Sequence, residues 1–172
     1  MDSSDRLFLD YSARKLRQLS VRIEDCLGRL THQQIWTRAS GNENAVGNLV
    51  LHLTGNVRQW IIAGVGGQPD VRQRDAEFVA RGGLAASSLA EHLRTIVAEA
   101  AGIVETLAPN RLPEPLIVQG YDVSVLEAIY AVVEHFSGHT GQIIYATKLL
   151  TGEDLGYHRY LNTTAAHTEQ TP

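Results

Sequence analysis

The chain has 172 residues, 44% of them hydrophobic and 20% charged, with a formal net charge of -4. That balance suits one well-buried domain and excludes the basic footprint of a nucleic-acid or anionic-membrane binder. The opening MDSSDRLFLDYSARK is acidic where a secretory leader needs basic residues, and no run of about 18 apolar residues follows, so a cytoplasmic protein is expected.

Leu9, Ala13, Leu16, Leu19, Ile23, Leu27 and Leu30 recur at intervals of three and four, which predicts an amphipathic helix over residues 4–30. Arg14, Lys15, Arg17, Arg22 and Glu24 fall on its solvated face. Cys26, the only cysteine, excludes an internal disulfide and reads as a small buried apolar group in this helix. A second helix is predicted over 44–64, NAVGNLVLHLTGNVRQWIIAG, bounded by Gly64, Gly66 and Gly67. The next stretch, GVGGQPDVRQRDAEFVARGG, reads as a long loop with a helical turn at Arg74–Val79.

The third helix is expected to start at SSLAEHL, with Ser88 as N-cap and Glu91 as the reciprocal residue of a capping box, and to end near Leu107 before Pro109. PEPLIVQGYDVS, turning at Gly120, suggests a short extended segment or hairpin. In SVLE, Ser124 caps a fourth helix, Glu127 reaches back, and Gly152 supplies the stop. Residues 157–172 form a polar tail, disordered over NTTAAHTEQTP. The expectation is an all-α protein, a four-helix bundle in a single domain over 1–156, whose interior can house a metal between facing helices.

The fourth helix carries His135 and His139 only about 40° apart around its axis, with Gln142 about 20° to the other side. Ala128, Ala131, Val132, Gly138 and Ala146 share that stripe, whereas Glu127, Glu134 and Lys148 lie elsewhere, so the stripe is expected to face the bundle interior. On the second helix, Asn48, His52, Gly55, Asn56 and Gln59 form a polar stripe without charges; the one charge of that helix, Arg58, projects about 120° from His52. An exposed stripe would carry Lys or Glu, so a polar cavity inside the bundle is expected. Two histidines at i and i+4 chelate from one face, a third from another helix completes the set, and a fourth position stays open for water or substrate. His52, His135 and His139 are therefore the candidate ligands of a divalent ion such as Zn, Ni, Fe or Mn, with Zn or Ni favoured. His32, His92, His158 and His167 read as solvated.

GNLVLHLTGNVRQWI, DVRQRDAEF and EHFSGHTGQIIYATKLLTG together resemble the DinB-like superfamily, the DinB/YfiT group, over residues 5–155. The resemblance implies an up-down-down-up four-helix bundle, a divalent metal on positions corresponding to His52, His135 and His139, and homodimers. Characterised members include thiol-dependent isomerases and S-transferases. It therefore points to a metal-dependent S-transferase that activates a low-molecular-weight thiol toward a small electrophile. Asn48, Asn56, Gln59 and Gln142 are candidates for contacts behind the ligands or with substrate. Arg72, Arg74 and Glu77 offer contacts to thiol carboxylates, although an ordinary solvated loop fits them better, and Glu134, about 100° from His135, reads as a surface residue rather than a general base. The alternatives are a metal-dependent hydrolase and a non-catalytic dimeric bundle that binds metal or a small molecule.

Overall fold

The computed structural model describes residues 3–157 and 159. The helices are α1 (Ser3–Arg29), α2 (His32–Trp36), α3 (Val46–Val57), α4 (Arg74–Val79), α5 (Ala86–Thr106) and α6 (Val125–Thr151); α3 runs on as a π segment over Arg58–Val65. A 3-10 turn (Pro109–Arg111) and two strands, β1 (Pro115–Val118) and β2 (Tyr121–Ser124), separate α5 from α6. The all-α expectation holds. α1 packs on α5 and α6, and α3 packs on the same two helices, so the four long helices enclose one apolar core.

All seven apolar residues that define the α1 stripe are buried, as is Cys26. α6 starts and stops as its sequence requires. Ser124 Oγ accepts from the Glu127 N–H, the Glu127 carboxylate accepts from the Ser124 N–H, and Gly152 closes the helix at φ 73°. The predicted hairpin forms as well, pairing Leu116 with Val123 and Val118 with Tyr121 around Gln119 (φ 54°) and Gly120 (φ 80°). Two successive residues with positive φ give the reversal whose twist matches two antiparallel strands.

Two boundaries differ from expectation. α5 begins at Ala86, with Ala85 in the cap position and no side-chain cap, so Ser88 and Glu91 do not form a box. Trp36 Nε1 donates to the Leu84 carbonyl and pins the chain just before the helix, so Ser88 already lies inside its first turn. The second helix has the expected extent, but after Val57 it widens, and the Gly66 N–H bonds to the Ile61 carbonyl five residues back. Periodicity over so few residues does not separate a π turn from an α turn.

Tyr157 seats the chain end on α1, donating to Asp25 Oδ2 at 2.7 Å beneath the Arg22 guanidinium. The NTTAAHTEQTP tail, His158 and His167 lie outside the described residues. Among the described residues no helix is long and apolar enough to cross a membrane.

Candidate metal centre

His52 projects from α3 and His135 and His139 from α6, and a ring nitrogen of each lies within 4.8 Å of the other two. His52 Nε2 and His135 Nε2 are 2.9 Å apart. The His135 and His139 rings stand edge to face at 4.5 Å between centroids, as i, i+4 neighbours can. His52 is buried at 7% exposure, while His135 and His139 are half-buried.

The surroundings of these rings differ from the sequence-based picture in one respect. The His135 stripe runs along the edge of the α6 core face rather than down its centre. Val132, Phe136, Thr140, Ile143 and Thr147 fill the core, and Ala131 and Gly138 on the stripe are exposed. The polar stripe of α3 likewise does not face a cavity inside the bundle. It is covered from outside by the segment that contains α4.

That covering is built from charges. Glu77, at 8% exposure, receives Arg72 Nε at 2.7 Å on one carboxylate oxygen and Arg72 Nη2 at 2.8 Å on the other. The second oxygen also lies 3.0 Å from His52 Nδ1. Arg72 Nη2 abuts the same ring nitrogen at 3.1 Å, but it is a donor already directed at Glu77, so the imidazole proton sits on Nδ1 and points at the carboxylate. The Nε2 lone pair of His52 is thereby turned toward His135 and His139. A carboxylate behind a histidine is the usual device for fixing a ligating tautomer. Gln142 Oε1, 2.8 Å from His139 Nδ1, does the same for that ring.

Gly55 makes this approach possible. A Cβ there would lie 2.0 Å from Glu77 Oε1 and 3.0 Å from Arg72 Nε. Phe78 stacks on the His52 ring at 4.8 Å and carries Arg74 on its other partner contact, with the guanidinium 4.9 Å from its centroid. Arg72 and Glu77 are thus not solvated loop charges, contrary to the reading of their segment. Their signal in the sequence was Gly55, a glycine within a helix three residues after the histidine. Arg74 remains exposed, as does Glu134.

The other amides find distinct places. Asn48 is fully buried, with Nδ2 donating to the Glu77 and Ala80 carbonyls and Oδ1 accepting from Arg38 and the Ala45 N–H. Gln59 Oε1 accepts from Arg72 Nη1, and its Nε2 donates to Asp70. Asn56 lines a cleft of about 650 Å³ that opens beside His52 and His135. Trp60, Val123, Tyr121 and Val132 form its apolar wall, Gln119 reaches it from the hairpin, and Glu134 and Arg74 stand at its border. His32 and His92 are exposed, as expected.

His52 and His135 are neutral at physiological pH. Burial pushes His135 down to about 4, and a proton added there would also be opposed by His139, His52 and Arg72 beside it. Burial also lowers His52, against the opposing hydrogen bond to Glu77, so the His52–Glu77 contact is a hydrogen bond rather than an ion pair.

A family model described as "Protein of unknown function (DUF1572)" matches residues 3–159. The chain belongs to the DUF1572 family. A solved structure, a conserved protein from Enterococcus faecalis, shares the fold of this DUF1572 chain with a TM-score of 0.71 and 16% identity, over 83% of this chain and 96% of that one. No curated protein matches it.

Proposed function

We propose that this DUF1572 protein is a divalent-metal-dependent enzyme whose ion is held by His52, His135 and His139 and whose small-molecule substrate enters the adjoining cleft. The observation that carries this reading is the convergence of three imidazoles from two helices, with two of them oriented from behind. The donor set suits the ion. Tetrahedral zinc with bonds of 2.0–2.1 Å places its nitrogen ligands about 3.3 Å apart, and the observed separations, from 2.9 Å upward to no more than 4.8 Å, bracket that spacing. Without a cation, His135 must keep its proton on Nε2 and donate it to His52; with one, both lone pairs turn inward.

When bound, the ion would lower the pKa of a thiol or water and present the resulting anion to an electrophile. The chain supplies the rest. Glu77 and Arg72 hold the His52 tautomer, Gln142 holds His139, and the Trp60–Tyr121 wall keeps one side of the cleft apolar. The thiol version, an S-transferase using a low-molecular-weight thiol, is supported by the resemblance to the DinB-like superfamily; hydrolysis would use the same site with water. Assembly as a homodimer belongs to the same proposal, supported by the exposed Leu126, Tyr130, Tyr145 and Leu149 along α6.

The test is metal content by inductively coupled plasma mass spectrometry on untagged protein, wild type beside His52→Ala and His135→Ala. Near-stoichiometric metal in the wild type and none in either variant is the expected result. A wild type that stays empty after incubation with Zn(II), Ni(II), Fe(II) and Mn(II) would overturn the reading in favour of a metal-free bundle. Screening loaded protein against electrophiles with and without thiol then separates transfer from hydrolysis.

A further inference from the structure

The cleft beside the histidines has two ends. His52, Asn56 and Trp60 follow one another at intervals of four residues along α3 and its π extension, and His135, Ala131 and Glu127 do the same along α6 toward its N-terminus; all six line the cleft. His52 meets His135 at one end, 2.9 Å apart, so the other end lies about 12 Å away, eight residues at about 1.5 Å each. The hairpin closes that far end. The Tyr121 ring, 61% exposed, tilts against Trp60 with 6.1 Å between centroids, and Gln119 Oε1 accepts from Trp60 Nε1 at 3.2 Å and fixes the indole behind it.

The ends differ in charge. At the histidine end Arg72 is neutralised by Glu77, and Arg74 and Glu134 at the border are of opposite sign, which leaves the charge of the ion itself. At the hairpin end the charged side chain is Glu127. Its Oε2 accepts the capping bonds from Ser124, which hold the carboxyl below its usual range and so ionised, while its Oε1 takes part in neither bond. Resting on the metal reading above, we infer that the hairpin end is a subsite for an alkylammonium group, which lies on the Tyr121 ring beside the Glu127 carboxylate while the other end of the same ligand reaches the ion. An aromatic face attracts a cation through its quadrupole, and a nearby carboxylate adds to the attraction. The α6 dipole offsets part of the Glu127 charge, so the ring carries the rest. Between the two ends Ala131 and Val132 offer apolar surface to a methylene chain, and about six carbons, at ~1.5 Å per bond, span the gap. A neutral tail gains neither attraction, and an anionic one is repelled by Glu127.

The experiment uses full-length protein loaded with Co(II), titrated with 6-amino-1-hexanethiol and with 6-mercapto-1-hexanol while the thiolate–cobalt absorption is followed. The two probes share thiol and length and differ in the tail, an ammonium at neutral pH against a neutral hydroxyl. Wild type is expected to bind the ammonium probe about fivefold more tightly, the effect of one cation–π contact at a partly exposed ring. Glu127→Gln, which keeps the capping box, and Tyr121→Leu should retain cobalt and the affinity for the hydroxyl probe while losing most of that preference. Equal affinities in the wild type, a preference that survives both replacements, or loaded protein that binds neither probe would overturn the subsite and leave the metal centre standing. A wild type that takes up no cobalt would overturn the metal reading and this inference together.

Discussion

The α1–α5 seam and the α3–α4–α6 corner are built on opposite plans. In the seam, Leu16, Leu19, Ile23 and Leu27 meet Leu89, Leu93, Ile96, Val97 and Val104, all buried, while the charges stay outside as the Arg17–Glu105 and Arg94–Glu24 pairs. At the corner the charges are inside. Arg72 and Glu77 are 3% and 9% exposed in their side chains and lie directly behind a histidine. Apolar burial gains free energy roughly in proportion to area and tolerates variation, whereas a buried ion pair contributes little net stability and instead fixes the orientation of whatever it touches. The seam stabilises the protein, and the corner positions three imidazoles.

The comparison can be broken first at its apolar side. Phe136→Ala, in the α6 core face beside His135, should lower stability by about 3–5 kcal/mol, read as a urea midpoint, with metal stoichiometry retained at temperatures where the variant is folded. Gly55→Ala should act on the other side. Its new Cβ must displace the Glu77 carboxylate, at a cost of about 1–3 kcal/mol for overpacking, and metal affinity should fall with it; unchanged affinity would show that Glu77 does not act through His52.

The double replacement Arg72→Met with Glu77→Leu sharpens the contrast. Exchanging a buried pair for apolar side chains leaves stability within about 1 kcal/mol or raises it, whereas the loss of the group behind a ligand weakens metal binding about 10- to 100-fold. Competition against a chromophoric chelator measures the second quantity and thermal unfolding the first. If both move together, the pair is structural only.

The smallest effect is on pH dependence. His135 titrates near 4 in the folded protein against an ordinary value of 6.5, so as pH falls the unfolded chain takes up the proton first. The metal-free protein should therefore lose stability between pH 6.5 and 4, with no further loss from this group below 4. His52 is lowered in the same direction. Urea midpoints at intervals across that range should fall less steeply in His135→Phe than in wild type.

Much of the fold was legible in advance because it rests on repeated local signals. The α1 stripe, the Ser124–Glu127 box, the Gly152 stop and the Gly120 turn each declare themselves within a few residues. The three histidines were legible for the same reason, since i and i+4 on α6 and an uncharged polar stripe on α3 are helical patterns. Arg72 and Glu77 were not. Their contact with His52 spans 20 and 25 residues across a glycine-containing segment that has no period, and a charged loop normally belongs to solvent. Asn48 lies on the uncharged polar stripe that points to a site, yet its amide ties down the Glu77 and Ala80 carbonyls, a role that no property of α3 alone discloses.

The π segment has a consequence for how such a chain can vary. Arg58–Val65 follows the histidine of α3 and carries Trp60, one wall of the cleft. A wide turn of this kind holds one residue more than an α turn over a similar angular advance, so deleting a single residue from it would restore the α repeat and move Trp60 and its neighbours within the segment while the helix on either side keeps its register. The ligand positions upstream would keep their register. A change of one codon triplet in length, rather than any substitution among the histidines, is thus the shortest route to a differently shaped cleft over the same three imidazoles.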